Sequence, residues 1–96
     1  MTTSEAELQR LITDAAQMAG WLVFHDTDSR RNTAGFPDLV LVKPPRVAFV
    51  ELKRETGRLR DEQKVWLEAL ELCDTLSSGV VRPSTADQLL DYLMKP

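Results

Sequence analysis

The chain of 96 residues contains one cysteine, Cys73, and one histidine, His25. A single cysteine excludes an internal disulfide and a thiolate cluster within one chain, and a single histidine excludes a histidine-rich zinc site. A bound metal ion must therefore be held mainly by oxygen, which favours Mg²⁺ or Mn²⁺. No apolar run approaches the roughly 20 residues that span a bilayer, and residues 1–10 are too polar for a signal peptide. We therefore expect a cytoplasmic protein without a membrane partner.

Charge is distributed unevenly along the chain. The net charge of −3 disfavours a nucleic-acid partner, because binding to phosphate draws on Lys and Arg. Residues 28–64, however, hold nine basic and six acidic side chains, while the flanks hold three basic and nine acidic ones. This pattern is compatible with a local phosphate-binding surface, and a solvated charged face explains it almost as well. The length fits a single domain over residues 1–96, since so short a chain encloses one hydrophobic core.

The apolar pattern predicts an α/β fold with the element order α-β-β-β-α-β-α. The predicted helices are 4–19, 61–72 and 85–94, and the predicted strands are 21–25, 38–43, 46–53 and 79–81. Polar residues 26–36 predict a loop, and Pro44-Pro45 places the turn of a hairpin. The helix between the third and fourth strands predicts a mixed sheet of about four strands flanked by helices. The predicted core positions of the first two helices are Leu8, Leu11, Ile12, Ala15, Ala19, Trp66, Leu67, Leu70 and Cys73.

Two acidic residues are predicted to face each other across this hairpin. A symmetric turn pairs Val40 with Phe49 and, further along, Asp38 with Glu51. Directly opposed like charges destabilise a strand pair, and a divalent cation between them removes that conflict. Glu51 and Lys53 share one strand face, where burial would cost on the order of several kcal/mol per ion unless each is paired or metal-bound. The alternative is that all three side chains simply end strands in solvent.

Glu5 and Gln63 are further candidates for the same site. Glu5 continues the apolar stripe of the first helix, so we expect it to point inward, where a carboxylate requires a cation. Helix capping is the alternative for Glu5, and we assign the capping box to Ser4 and Glu7 instead. Gln63 lies on the inner face of the second helix and is suited to hydrogen-bond water or phosphate. A polar residue at a helix N-terminus explains it nearly as well.

The motifs resemble the signature of the PD-(D/E)XK nucleases. Gly35-Phe36-Pro37-Asp38 is followed thirteen positions later by Glu51-Leu52-Lys53. Four further features complete the pattern. They are a glutamate on the first helix, Gly-Trp before the first strand, Gly-x-Leu-x-x-x-Gln at the start of a helix and a late Val-Val-Arg. This order is similar to the virus-type replication-repair nucleases, the VRR-Nuc subfamily. The likeness covers nearly the whole chain and suggests a stand-alone minimal form, which would suit a phage or a bacterium.

The resemblance implies a restriction-endonuclease-like core and a set of site residues. It implies Mg²⁺ or Mn²⁺ held by Asp38 and Glu51, with the Leu52 backbone carbonyl as a candidate further ligand, and it gives Lys53 the task of orienting or deprotonating the attacking water. The stripe of the first helix adds Glu5 as the candidate fourth ligand. A lysine beside two carboxylates stays protonated, which favours the orienting role. The predicted catalytic residues are Asp38, Glu51, Lys53, Glu5 and Gln63. The candidate DNA contacts are Arg30, Arg31, Arg54, Arg58, Arg60 and Lys64. The alternative is that they are ordinary exposed basic residues that bind no partner. Arg82 either binds phosphate or caps the last strand.

The activity implied by the resemblance is that of a metal-dependent endonuclease for branched DNA. Small stand-alone members resemble resolvases of four-way junctions that act as homodimers, and no nucleotide cofactor is expected. One alternative is a nicking or flap endonuclease with the same chemistry. Others are a nuclease-like DNA-binding module without turnover and a structural domain whose acidic residues are merely solvated.

Overall fold

The computed structural model describes residues 3–26, 33–74 and 76–96. The elements in these ranges are α1 (Glu5–Met18), β1 (Leu22–His25), β2 (Leu39–Lys43), β3 (Arg46–Leu52), α2 (Asp61–Glu71), β4 (Ser77–Val81), a 3₁₀ turn (Pro83–Thr85) and α3 (Ala86–Met94). The predicted element order is confirmed, with β4 starting two residues earlier than expected. Within the described ranges, no helix combines the length and the apolar character needed to cross a membrane.

The four strands form one mixed sheet in the order β1-β2-β3-β4. β1 with β2 and β2 with β3 are antiparallel, whereas β3 and β4 are parallel because α2 returns the chain between them. Val40 pairs with Phe49 and Val42 with Val47, which is the register that the symmetric hairpin predicts. The predicted α/β class with its mixed sheet is therefore confirmed.

The main core lies on the sheet face that α1 and α3 cover. Leu8, Ile12 and Ala16 recur every four residues along α1, and all three are buried. The expected core position of Leu11 is wrong, since 48% of this residue is exposed. The buried stripe of α1 is too narrow to include its side chain. Trp21 is a core residue, and its Nε1 donates to the Leu93 carbonyl at 3.0 Å.

Helix α2 lies on the opposite face of the sheet. Gln63 is its buried residue, while Trp66, Leu67 and Leu70 are half-buried along the same side. The predicted inner position of Cys73 is wrong, because the helix ends at Glu71 and the cysteine lies beyond it in an exposed position. This face is therefore more thinly covered than the first.

Two basic residues at the hairpin turn bind the C-terminal ends of helices. Lys43 Nζ donates to the Ala19 carbonyl at 2.7 Å, and Arg46 donates to the carbonyls of Tyr92 and Lys95 at 2.9 and 2.6 Å. Carbonyls at a helix C-terminus lack partners within the helix and carry partial negative charge, so cations there are stabilising. These two side chains belong to the basic middle of the sequence, yet the fold uses them away from the carboxylates.

Candidate active site

Asp38 lies beside Glu51 where β2 begins and β3 ends. Asp38 Oδ2 accepts a hydrogen bond from the backbone N–H of Leu52 at 2.8 Å, which ties the side chain to the residue that follows Glu51. The Asp38 backbone carbonyl accepts from the N–H of Asp26 at 3.1 Å, which links it to the end of β1. The two acids, called the carboxylate pair below, are therefore neighbours across the hairpin, as the predicted register requires.

Glu51 is buried, with 2% of the residue exposed. Its Oε1 accepts from Gln63 Nε2 at 3.0 Å, and its Oε2 has no hydrogen-bond donor among the described residues. The pKa of Glu51 is raised to about 9, chiefly by burial and further by the close approach and negative charge of the Asp38 carboxyl. Lys53 lowers the pKa and Glu5 raises it by their charges. A hard divalent cation fits this arrangement, because it satisfies the orphaned oxygen and offsets the two neighbouring acids.

Glu5 lies at the rim of the site and not inside it. Ser4 and Glu7 form the capping box, as assigned from the sequence, so Glu5 is not part of the cap. Glu5 lines a cavity of about 220 Å³ together with Asp38 and Leu52, but its side chain is exposed. Glu5 therefore lies on the side of α1 that faces the carboxylate pair, as expected from the sequence, but at the solvent-exposed edge of the cavity. Within the described ranges, no three His, Cys, Asp or Glu side chains converge as a metal-binding group.

Lys53 follows the last residue of β3 and is half-exposed. Its backbone N–H donates to the Val81 carbonyl at 3.0 Å, which fixes the chain on leaving the strand. No ion pair joins its ammonium to a carboxylate in the part of the chain that the structure describes, and its charge acts on Glu51 from a distance. The ammonium is therefore free to meet a phosphate near the carboxylate pair.

Gln63 connects helix α2 to the carboxylate pair. Its Oε1 accepts from the backbone N–H of Arg60 at 2.8 Å, and its Nε2 donates to Glu51. The residue is 5% exposed, so both contacts are shielded from water. Gln63 is thus a polar residue at the N-terminus of α2, which is the alternative given from the sequence, and the same amide also orients Glu51.

Gly35 allows the loop before β2 to contact the first turn of α2. Its φ of +87° is rarely adopted by residues with a Cβ, and a Cβ here would lie 2.3 Å from the Glu62 carbonyl oxygen and 2.8 Å from the Gln63 nitrogen. The glycine of the Gly-x-Pro-Asp motif thus lets this loop approach the residue that holds Glu51. Pro37 in the same motif is fully buried.

Arg82 holds the loop that follows Lys53. Its Nη1 donates to the carbonyls of Arg54 and Gly57 at 2.7 Å each and to that of Glu55 at 3.3 Å. The Glu55 carboxylate in turn accepts from the backbone and hydroxyl of Ser84. Sequence reasoning missed this role, because the contacts join residues 25 to 28 positions apart with no local signal.

The predicted DNA contacts are divided between several places. Arg54, Arg58, Arg60 and Lys64 are exposed, while Arg30 and Arg31 lie outside the described residues. Of the four described, Arg60 shares a cavity of about 280 Å³ with Asp38 and Gln63. Arg60 is therefore the predicted basic contact that the structure brings next to the carboxylate pair.

One protein family matches most of the chain. The family model described as the VRR-NUC domain matches residues 2–81, a range that includes Glu5, Asp38, Glu51, Lys53 and Gln63. Neither a curated protein nor a solved structure matches the chain. Nuclease domains of this kind act on DNA and generally use divalent metal ions.

Proposed function

This chain belongs to the VRR-NUC family of nucleases, and on that premise we propose that it is a Mg²⁺- or Mn²⁺-dependent endonuclease for branched DNA, with the four-way junction as its substrate. The observation that carries the proposal is the buried Glu51 carboxyl beside Asp38, one oxygen of which has no hydrogen-bond partner among the described residues. Gln63 satisfies only the other oxygen, and a buried carboxyl oxygen without a partner is costly, so its presence here favours a role in binding a cation.

Asp38 and Glu51 are the proposed ligands of the ion, with the Leu52 carbonyl and Glu5 as candidate additional oxygens. When bound, a hard divalent ion polarises a phosphoryl oxygen, lowers the pKa of water and offsets developing negative charge. Lys53 holds the phosphate and orients the attacking water in this proposal. Its half-exposed position at the end of β3 supports this role.

The remaining residues of the site position these groups. Gln63 fixes one oxygen of Glu51, and the other has no hydrogen-bond partner among the described residues. Gly35 sets the contact between the Asp38 loop and α2, and Arg82 holds the loop that begins at Lys53. Groups that are fixed before the substrate binds need no reorganisation during the reaction.

We propose that the chain cuts as a homodimer. One site hydrolyses one strand, whereas resolution of a four-way junction requires two cuts related by symmetry. Each chain contributes one carboxylate pair, so two chains supply the two cuts. Cross-linking of the chain on junction DNA should yield a dimer, and a stable monomer that resolves junctions would contradict this assignment.

A single cleavage experiment tests the chemistry. Labelled four-way junction, flap and linear duplex are incubated with Mg²⁺, with Mn²⁺ and with EDTA. We expect symmetric junction cuts that require metal, and losses on the order of 100-fold or more for Asp38→Asn, Glu51→Gln and Lys53→Met. Asp91→Asn and Lys95→Met alter exposed charges on or after α3 and serve as matched controls. If flaps were cut in preference to junctions, the substrate would be a flap and not a four-way junction. Binding without cleavage would identify a non-catalytic module.

A further inference from the structure

A second cavity opens on the same sheet face as Glu51. It has a volume of about 380 Å³ and is lined by Phe24, Asp26, Thr33, Phe36 and Trp66. We call it the aromatic cavity, because three of these five residues are aromatic. Its volume lies within the range of pockets that take small organic groups, roughly 300–1,000 Å³.

The aromatic cavity is continuous with the candidate active site. Asp26, Thr33 and Phe36 also line the cavity of about 280 Å³ that Asp38 and Gln63 border. These shared residues connect the space beside the carboxylate pair with the space beside the aromatic side chains. The two cavities together form one path from the carboxylate pair to an apolar end.

The rings of this cavity differ in how firmly they are held. Phe36 packs edge-on against Trp66 at 5.0 Å and 83°, and against Phe49 at 6.2 Å and 86°. Phe24 lies on the edge strand β1, opposite Val40, and is 56% exposed. An aromatic ring that is open to water at the mouth of an apolar cavity has a face available for stacking.

We propose that the aromatic cavity accepts an unpaired nucleobase adjacent to the cleaved bond, stacked on Phe24 and bordered by Trp66. This inference rests on the proposed function and defines its substrate class more closely. Stacking on an aromatic ring tolerates every base, since each base has a π-face. Taking a base out of the duplex costs less where base stacking is interrupted, so a branch point meets the requirement better than linear duplex. The cavity therefore favours DNA whose bases are open next to the cut.

The test combines changes in the protein with changes in the DNA. Four-way junctions are made with a normal or an abasic nucleotide at each position next to the cleaved bond, and binding is measured with Ca²⁺ in place of Mg²⁺. Loss of the critical base should weaken binding of the parent chain about 5- to 100-fold. Phe24→Ala and Phe24→Leu should each weaken binding of the normal junction by a similar factor. Neither substitution should weaken binding of the abasic junction below that of the parent chain. Phe24→Tyr, which keeps the ring, and Leu22→Ala, which removes an exposed side chain from the same strand, should bind like the parent.

Three results would overturn the inference. The first is that Phe24→Ala binds normal junctions as tightly as the parent, and the second is that Phe24→Leu does so, because apolar bulk would then suffice. The third is that Phe24→Ala changes the oligomeric state and weakens binding of normal and abasic junctions equally. That result would assign the cavity to contact with a second copy of the chain. Melting curves confirm that each variant is folded.

Cleavage by the parent chain with Mg²⁺ separates this inference from the proposed function. If the parent cuts the junction while the Phe24 variants bind and cut like it, the base site is wrong and the nuclease assignment stands. If the parent binds with the expected dependence on the base but does not cut, the base site stands and the nuclease assignment is wrong. A chain that binds none of these DNAs contradicts both.

Discussion

The Gln63 side chain donates from Nε2 to Glu51 Oε1 at 3.0 Å while its Oε1 accepts from the backbone N–H of Arg60 at 2.8 Å. One amide thus joins the N-terminus of α2 to the carboxylate pair. Because the amide group makes a contact at each end, it cannot rotate without losing one of them. The orientation of Glu51 is therefore coupled to the position of α2.

Replacing Gln63 by Ala should lower the cleavage activity strongly and the folding stability only modestly. The substitution removes the donor to Glu51 and the acceptor at Arg60, and loss of such a supporting contact commonly reduces metal affinity or activity about 10- to 100-fold. Loss of the cap should cost ~1 kcal/mol of folding stability. Cleavage rates over a Mn²⁺ titration measure the first effect, and urea unfolding measures the second.

Gln88→Ala, which changes an exposed residue of α3, is the matched control for this experiment. We expect the Mn²⁺ concentration for half-maximal cleavage to rise in Gln63→Ala and to stay constant in the control. If Gln63 had a purely structural role, Gln63→Ala would lower the stability but leave the Mn²⁺ dependence of cleavage as it is in the parent.

The sequence predicted the fold well wherever one side of an element faces the core. Alternation along β3 and the symmetric turn at Pro44-Pro45 defined the register, and that register placed Asp38 beside Glu51. Ser77 and Ser78 were missed because small polar residues carry little strand signal. They belong to β4 since they pair with β3, so the tertiary contact decides their conformation.

The site was predictable only in part, for a physical reason. Helical periodicity gives the direction of a side chain around the helix axis, but it does not tell where the helix end lies relative to the sheet. Glu5 was therefore placed on the correct side of α1 and yet is exposed at a cavity rim. The contacts of Gly35 and Arg82 depend on the paths of loops, which periodic patterns do not describe.

Stability of the metal-free chain should fall as the pH rises through neutrality. The folded-state pKa of Glu51 is raised to about 9 from an ordinary value of 4.5, so at neutral pH the folded chain holds a proton that the unfolded chain has released. The stability due to that proton is complete below about pH 4.5 and is lost as the pH rises through about 9. The slope in between is at most ~1.4 kcal/mol per pH unit.

Glu51→Gln tests this linkage, because its amide imitates the protonated acid. In EDTA this variant should be more stable than the parent at pH 8, by ~2 kcal/mol, and should show a shallower pH dependence between pH 6 and 8. Mn²⁺ should stabilise the parent and not the variant. Glu71→Gln on the exposed side of α2 controls for loss of one acid. Equal pH slopes in the parent and Glu51→Gln would contradict the raised pKa.

Gly35→Ala should destabilise the chain strongly. The new methyl group would lie 2.3 Å from the Glu62 backbone oxygen, and the φ of +87° is unfavourable for alanine. Strain and overpacking together should cost ~3 kcal/mol in urea unfolding. Gly79→Ala is the matched control, because a Cβ there meets no atom within 4 Å. A Gly35→Ala protein with parental stability would show that the loop and α2 do not pack as described.

Arg82→Lys should distinguish the effect of the planar guanidinium geometry from the effect of the positive charge. Lysine keeps the positive charge but lacks the planar geometry with which Nη1 reaches the carbonyls of Arg54 and Gly57. Because these contacts hold the loop after Lys53, we expect a loss of ~1–2 kcal/mol in stability and a lower cleavage rate. Arg10→Lys, at an exposed position of α1, is the control.

The kinetic pattern of Arg82→Lys distinguishes a held loop from a direct phosphate contact. If Arg82 acts through the loop, the cleavage rate of bound DNA falls while the salt dependence of DNA binding stays constant, since no phosphate contact has been removed. Arg82→Ala should then lower the rate further and still leave the slope of binding against salt unchanged. A reduced salt slope in Arg82→Ala, with its thermal stability intact, would instead assign the guanidinium to the DNA backbone.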